Sequence, residues 1–136
     1  MRWAIKNELA EIARLAEQVE EFGVKNKIEP RYIFNINLSL DELLTNTINY
    51  GYDDHEEHLI LINMYLAGSE IVIQVKDDGM PFNPLDMPDP DLSRELDERP
   101  AGGLGIYLVR TMMDLVEYER QGDQNIITMH KRLEGG

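Results

Sequence analysis

Two carboxylates and a set of amides and glycines in this chain are spaced as if to do chemistry. Glu42, Asn46 and Asn49 recur at i, i+4 and i+7, so on a helix they share one face. Oxygen ligands of this kind suit Mg²⁺, which keeps waters and phosphates in its shell. An Asn46 carbonyl on such a metal and a Glu42 carboxylate orienting a nucleophile are chemically compatible. A solvated polar helix face explains the same spacing, and by itself the segment favours that plainer explanation. Next, Asp77-Asp78-Gly79 closes an apolar run. A carboxylate at a strand end can accept from an exocyclic amine, and Gly79 lets backbone approach a flat ring. Asp-Gly is also a common turn dipeptide. Finally, Gly102-Gly103-Leu104-Gly105 precedes an apolar helical stretch. Backbone N–H groups there would form an anion site, unless the glycines are only a linker or cap. The run lacks the Lys-Ser/Thr of a Walker A loop and does not follow a strand as GxGxxG does.

The elements that must carry these groups are readable from periodicity. Trp3–Ile5 has the character of a short strand remnant. Leu9, Ile12, Ala16, Val19 and Phe22 predict a helix over about 7–22, with Gly23 as its stop. Glu29-Pro30 opens a second helix through Ile33, Ile36, Leu40, Leu44 and Ile48, ending at Gly51. Leu59–Leu66 and Ile71–Lys76 read as a hairpin about Ala67-Gly68-Ser69. Ile106–Met113 reads as a third helix, and Val116–Glu119 and Asn125–Lys131 as a last hairpin. Five of the six prolines fall between Pro81 and Pro100, among many acids, so residues of about 80–101 predict a lid rather than a packed element. The order gives an α+β domain over residues 1–136, a two-layer sandwich with helices on one face of a mixed, mostly antiparallel sheet.

Composition narrows the partners. The 136 residues hold 13 Lys and Arg against 26 Asp and Glu, a net charge of −13. That balance argues against nucleic acid and against an anionic membrane surface. Residues 32–93 carry twelve acids and one base, Lys76. An anion held there must rest on metal and backbone. With no cysteine, disulfides and thiolate sites are excluded. Neither a membrane span nor a leader is visible, and the expected location is cytoplasmic.

Taken in order, the Glu-xxx-Asn helix, the strand ending Asp-x-Gly, the lid and the Gly-Gly-x-Gly helix start resemble the GHKL (Bergerat-type) ATP-binding fold. Within it the chain looks most like the anti-sigma factor serine/threonine kinases, from about Trp3 to Arg132. The segments that carry this are Asp41–Asn46 with Tyr50-Gly51-Tyr52, then Asp77–Phe82, then Gly103–Val109 with Met113-Asp114. Pro81 stands where histidine kinases often have a second glycine, as in the anti-sigma group. The resemblance implies Glu42 as general base for a substrate Ser or Thr hydroxyl and Asn46 as Mg²⁺ ligand. It implies Asp77 and Gly79 at adenine, with Thr128 supporting Asp77. It implies backbone contacts to phosphate from Gly102, Gly103, Leu104 and Gly105. Arg99 is a candidate for the terminal phosphate. The implied activity is Mg-ATP-dependent phosphorylation of a STAS-type antagonist, with sequestration of a sigma factor or other regulator and a possible homodimer. The alternative is a nucleotide-binding sequestration module without significant kinase activity. A detached histidine-kinase domain is disfavoured by Pro81 and by the absence of a phosphoacceptor helix.

The remaining candidates have plainer explanations. His55 and His58 sit beside Glu56 and Glu57 in what reads as a surface turn, His130 as a strand side chain, Met112 and Met113 as core filler. Trp3 anchors either the first helix or a partner. Arg14 lies off the apolar stripe of the first helix, where solvation or a protein contact both account for it.

Overall fold

The computed structural model describes residues 1–86 and 103–134. Chain order is β1 (Arg2–Lys6), α1 (Ala10–Lys25), α2 (Pro30–Tyr50), β2 (Leu59–Ala67), β3 (Glu70–Asp77), a 3₁₀ turn at Pro84–Asp86, α3 (Gly103–Met112), β4 (Leu115–Gln121) and β5 (Gln124–Arg132). The five strands form one sheet in the order β1-β2-β3-β5-β4. The expected two-layer α+β arrangement with a mostly antiparallel sheet is present, and all four pairings are antiparallel.

Each element follows from its sequence. Strand β3 alternates Ile71, Ile73 and Val75 inward, the period-2 pattern of a half-buried strand. Pro30 at the first turn of α2 has no N–H to lose there. The buried stripe of α2, Ile36, Leu40, Leu43 and Leu44, packs in one core with Ile60, Ile62 and Met64 of β2 and the inward row of β3. Leu15, Val19 and Phe22 of α1 and Ile106 and Val109 of α3 join the same core. Fully burying side chains of this size contributes about 1.5–3 kcal/mol each.

Three boundaries differ from the sequence expectation. The first helix runs past Gly23 to Lys25, with Asn26 as its C-cap. Gly23 is instead a close-packing position, because a Cβ there would lie 2.6 Å from Ile33 Cγ1. The strand at the N-terminus is a full five residues paired along its length with Leu59–Asn63. The third helix starts at Gly103 rather than Ile106, which puts Leu104 and Gly105 in its first turn. Of the expected lid, residues 80–86 are described and 87–101 lie outside the described residues.

Candidate nucleotide site

Two inward rows of the sheet end in polar residues, and these meet. The row Ile71, Ile73, Val75 continues to Asp77, and the row Met129, Ile127 continues to Asn125. Antiparallel register pairs Asp77 with Asn125. Both are buried, at 4% and 3% relative exposure. Burial of such groups is costly without partners, and partners are present. Asp77 Oδ1 accepts from the Gly79 N–H at 2.9 Å and from Asn125 Nδ2 at 3.0 Å. Asn125 Nδ2 also donates to Met80 O at 2.9 Å. Asn125 Oδ1 accepts from the Tyr118 hydroxyl at 2.6 Å and from the Phe82 N–H at 3.3 Å.

A cavity of about 230 Å³ opens beside this pair. Its walls come from the last turns of α2 (Asn46, Thr47, Tyr50, Gly51), from Asp77, from Met80–Phe82, and from Asn125 and Ile127. The α2 wall and the 79–82 turn are tied together by the Met80 N–H, which donates to Gly51 O at 2.8 Å. Gly79 allows that approach: a Cβ there would lie 2.7 Å from Gly51 O. Arg120 reaches over from β4 and donates from Nη1 to Gly79 O at 2.9 Å.

One turn before Asn46 on α2, Glu42 meets the start of α3. A methyl group at Gly105 would overlap Glu42 Oε2. The Glu42 carboxylate therefore lies against the opening turn of α3, where free backbone N–H groups point. The arrangement sets an apolar-walled slot with one carboxylate at its floor beside a carboxylate at a helix N-terminus. A flat heterocycle with an amine suits the first, and the N–H groups at the opening turn of α3 are of the kind that take phosphate. Asn46 lines the slot and presents an amide oxygen of the kind Mg²⁺ accepts, so the residues fit that ion.

The sequence-derived candidates divide as follows. Glu42, Asn46, Asp77, Gly79, Gly103, Leu104 and Gly105 fall on the elements around the slot. Asn49 is exposed and is not among the lining residues. Arg99 and Gly102 lie outside the described residues. Thr128 is corrected: it pairs across the strands with Gln74 and Glu117. With the period of two, it faces away from the side that carries Asp77. Asn125 holds Asp77 instead. It was missed because it follows a turn, but its place two residues before Ile127 on the inward row was a usable signal. Thr47 and Tyr50 were missed because their helix face mixes polar and aromatic residues.

Charge around the slot is strongly negative. His58 is not a loose surface residue: Nε2 lies 2.8 Å from Asp54 and Nδ1 3.0 Å from Asp78. The Asp54 hydrogen bond, together with Asp78, holds the imidazole above its usual range against the opposing effect of desolvation. His58 stacks on Tyr52 at 4.2 Å between ring centroids. Burial, then the charges of Asp77, Asp78 and Asp54, push the Tyr52 hydroxyl well above the usual phenol range. That hydroxyl is buried with no hydrogen-bond partner among the described residues.

Residues 5–131 match the histidine kinase-like ATPase domain family. The chain belongs to that family. Among curated relatives, it is 25% identical over 111 residues to the serine/threonine-protein kinase BtrW of Bordetella bronchiseptica, covering 82% of this chain and 78% of that one. It is 27% identical to the serine-protein kinase RsbW of Bacillus velezensis, covering 83% and 74%. It is 28% identical to the anti-sigma F factor of Clostridium perfringens, covering 73% and 71%. The fold is shared with the RsbU and RsbW domains of a Mycobacterium tuberculosis protein, with a TM-score of 0.67 at 14% identity, over 98% of this chain and 32% of that longer one. The Acinetobacter baumannii histidine kinase AdeS shares it at a TM-score of 0.53 and 13% identity, over 98% of this chain and 68% of that one. The anti-sigma resemblance read from the motifs thus agrees with the named relatives. No helix among the described residues is long and apolar enough to cross a membrane.

Proposed function

We propose that this chain is a regulatory serine/threonine protein kinase of the anti-sigma type. It binds Mg-ATP, transfers the terminal phosphoryl group to a Ser or Thr hydroxyl of a STAS-type antagonist, and sequesters a regulator such as a sigma factor. The observation that carries this reading is the Glu42 carboxylate packed against Gly105 at the start of α3, one helical turn from Asn46 in the slot.

Phosphoryl transfer needs the nucleotide held, its charge neutralised and the attacking hydroxyl oriented. Asp77 accepts from the adenine amine, and Gly79 keeps the ring wall thin. The opening turn of α3 offers N–H groups to phosphate. Asn46 would hold Mg²⁺, which supplies charge neutralisation at the phosphates. Glu42 accepts the proton of the substrate hydroxyl as that oxygen attacks. A pure sequestering protein has no need of a carboxylate there. The sheet face turned away from the helices exposes Leu59, Leu61 and Tyr65, which suits a homodimer. Cytoplasmic residence accords with a STAS partner.

The test mixes the protein with labelled ATP, Mg²⁺ and candidate STAS proteins from the same genome. Label should move to one of them. Glu42→Gln should lower transfer about 10²–10⁴-fold while nucleotide binding persists, the range for loss of a general base. Transfer at the normal rate by that variant would refute the assignment. Intact ATP binding with transfer to no candidate would favour sequestration alone.

A further inference from the structure

The geometry points to His58 as a positioning residue of the slot, a clasp that holds the loop after α2 against the turn at Asp78 only while both of its ring nitrogens carry a proton. This rests on the nucleotide reading above and deepens it by making nucleotide affinity depend on pH.

The clasp joins two segments of the slot. One is the loop after α2, which carries Gly51 and Asp54, and the other is the turn from Asp77 to Met80. The Met80 N–H already ties them by donating to Gly51 O at 2.8 Å. His58 adds a second tie, with Nε2 2.8 Å from Asp54 and Nδ1 3.0 Å from Asp78. Asp78 stands between Asp77, which lines the slot, and Gly79, whose N–H donates to Asp77. Movement of Asp78 is therefore passed to both.

The ring has little freedom to adapt. The His58 N–H donates to Asn7 Oδ1 at 2.9 Å, and the Asn7 N–H donates to His58 O at 3.1 Å. Tyr52 stacks on the imidazole with 15° between the ring planes, and the His58 side chain is 15% exposed. A carboxylate offers only acceptors, so each ring nitrogen must donate. The protonated imidazole has two N–H groups and satisfies both aspartates. The neutral ring has one, and it sets a lone pair against the other carboxylate. Without the cation, Asp54 and Asp78 are like charges across a neutral ring, and one side of the clasp opens. These two aspartates are the charged groups that face the ring. Tyr52 presents its ring face, and the start of the chain contributes the uncharged Asn7. Lys6, beside it, pairs with Glu57. Asp54 first, and then Asp78, hold the ring proton above the usual imidazole range against the effect of desolvation. The slot is thus clasped below that raised value and released as pH climbs through it.

The experiment measures ADP affinity by titration calorimetry at fixed Mg²⁺, at pH 6 and pH 9, on either side of the histidine range. The wild-type protein, His58→Gln and Asp78→Asn are compared at each pH, which cancels titration of the nucleotide's own phosphate. Folding is checked at both pH values by far-ultraviolet circular dichroism. At pH 6 the wild type should bind ADP about fivefold more tightly than His58→Gln, and at pH 9 the two should agree within about twofold. Asp78→Asn separates the clasp from charge alone. Its amide accepts from a protonated ring and donates to a neutral one, so the clasp stays closed at both pH values. Its affinity relative to His58→Gln should therefore hold within about twofold from pH 6 to pH 9. If the ratio of wild type to His58→Gln does not change with pH, the clasp is overturned while the nucleotide reading stands. If Asp78→Asn loses its advantage at pH 9 as the wild type does, loss of a nearby positive charge accounts for the effect, and the clasp is again overturned. If the wild-type protein binds ADP at neither pH, the nucleotide reading fails and takes this one with it. Should His58→Gln not fold, the ring resonances of His58 in the wild-type protein replace it. Linkage is reciprocal, so saturating ADP should move the titration of the ring to higher pH, and an unmoved titration overturns the proposal.

Discussion

Gly79→Ala isolates the closest backbone approach at the slot. A Cβ at residue 79 would lie 2.7 Å from Gly51 O, 3.3 Å from the Gly51 carbonyl carbon and 3.0 Å from Asp77 Oδ1. Two of those atoms are main chain, at the end of α2, and cannot swing aside as a side chain does. An ordinary contact requires the two segments to part by about 0.7 Å, in an interior that packs as densely as an organic crystal. Overpacking of this kind costs about 1–3 kcal/mol. Parting also loosens the 2.8 Å bond from the Met80 N–H to Gly51 O, worth about 1 kcal/mol. Stiffening of the unfolded chain returns about 0.4–1 kcal/mol. The net expectation is a loss of about 2–3 kcal/mol, or a fall of about 6–12 °C in melting temperature for a domain of this size. Thermal unfolding by circular dichroism, with and without ADP, measures it. Gly122→Ala is the control: its φ is +59° and its Cβ would meet nothing within 4 Å, so it carries only left-handed strain, about 1–2 kcal/mol. Both variants should melt early, but only Gly79→Ala should lose the ADP-induced rise. A Gly79→Ala protein melting within about 2 °C of wild type and still binding ADP would refute the reasoning, as would loss of binding in Gly122→Ala.

Gly105→Ala presses on the mobile end of Glu42, not on backbone. It should fold normally and still bind nucleotide, while phosphoryl transfer falls about 10²-fold, the usual effect of displacing a reacting group by about 1 Å. Removal of Mg²⁺ by chelation should weaken ATP at least about tenfold, while adenosine, which has no phosphate for the ion to neutralise, is unaffected. The one base of residues 32–93, Lys76, pairs with Leu61 on the outer sheet face and cannot substitute for the ion. Equal ATP affinity with and without the metal would overturn that expectation. His58 has its folded pKa raised by Asp54 and Asp78, so its contribution to stability is complete below about pH 6.5 and disappears as pH rises through the higher folded value. Urea midpoints should therefore fall between pH 6 and pH 8, and His58→Gln should flatten the slope, with the remainder due to His130 between Glu70 and Glu117; a steeper slope in the variant would contradict the pairing.

Much of the architecture was legible because burial writes a period into each element. Ile33, Ile36, Leu40 and Leu44 announced α2, and Ile71, Ile73 and Val75 announced β3 together with the face on which Asp77 would continue. The errors arose where one residue type serves two purposes. Gly23 has the look of a helix stop, yet here a missing Cβ makes room for Ile33. The helix expected from Ile106 begins at Gly103 instead, because the glycines that open it also serve as its first turn, where Gly105 leaves room for Glu42. Thr128 was assigned from motif position, but strand parity turned it to the outer face and left Asn125 against Asp77. His58 shows the same limit, since its partners Asp54 and Asp78 come from separate segments that only the fold brings together.

The order of strands in the sheet also determines when the slot can exist. The pairs β2–β3 and β4–β5 are hairpins that close locally and belong to the fast events of folding. Asp77 sits on one hairpin and Asn125 on the other, and only the β3–β5 seam brings them together, across 48 positions of sequence. Contacts of such long range are the slow ones to form. No partly folded chain with a single hairpin in place holds the complete slot. A ligand bound there acts as a rivet across the seam, stabilising the native state alone and by an amount that grows with its concentration. Nucleotide level would then govern how long each folded copy survives before its two hairpins separate.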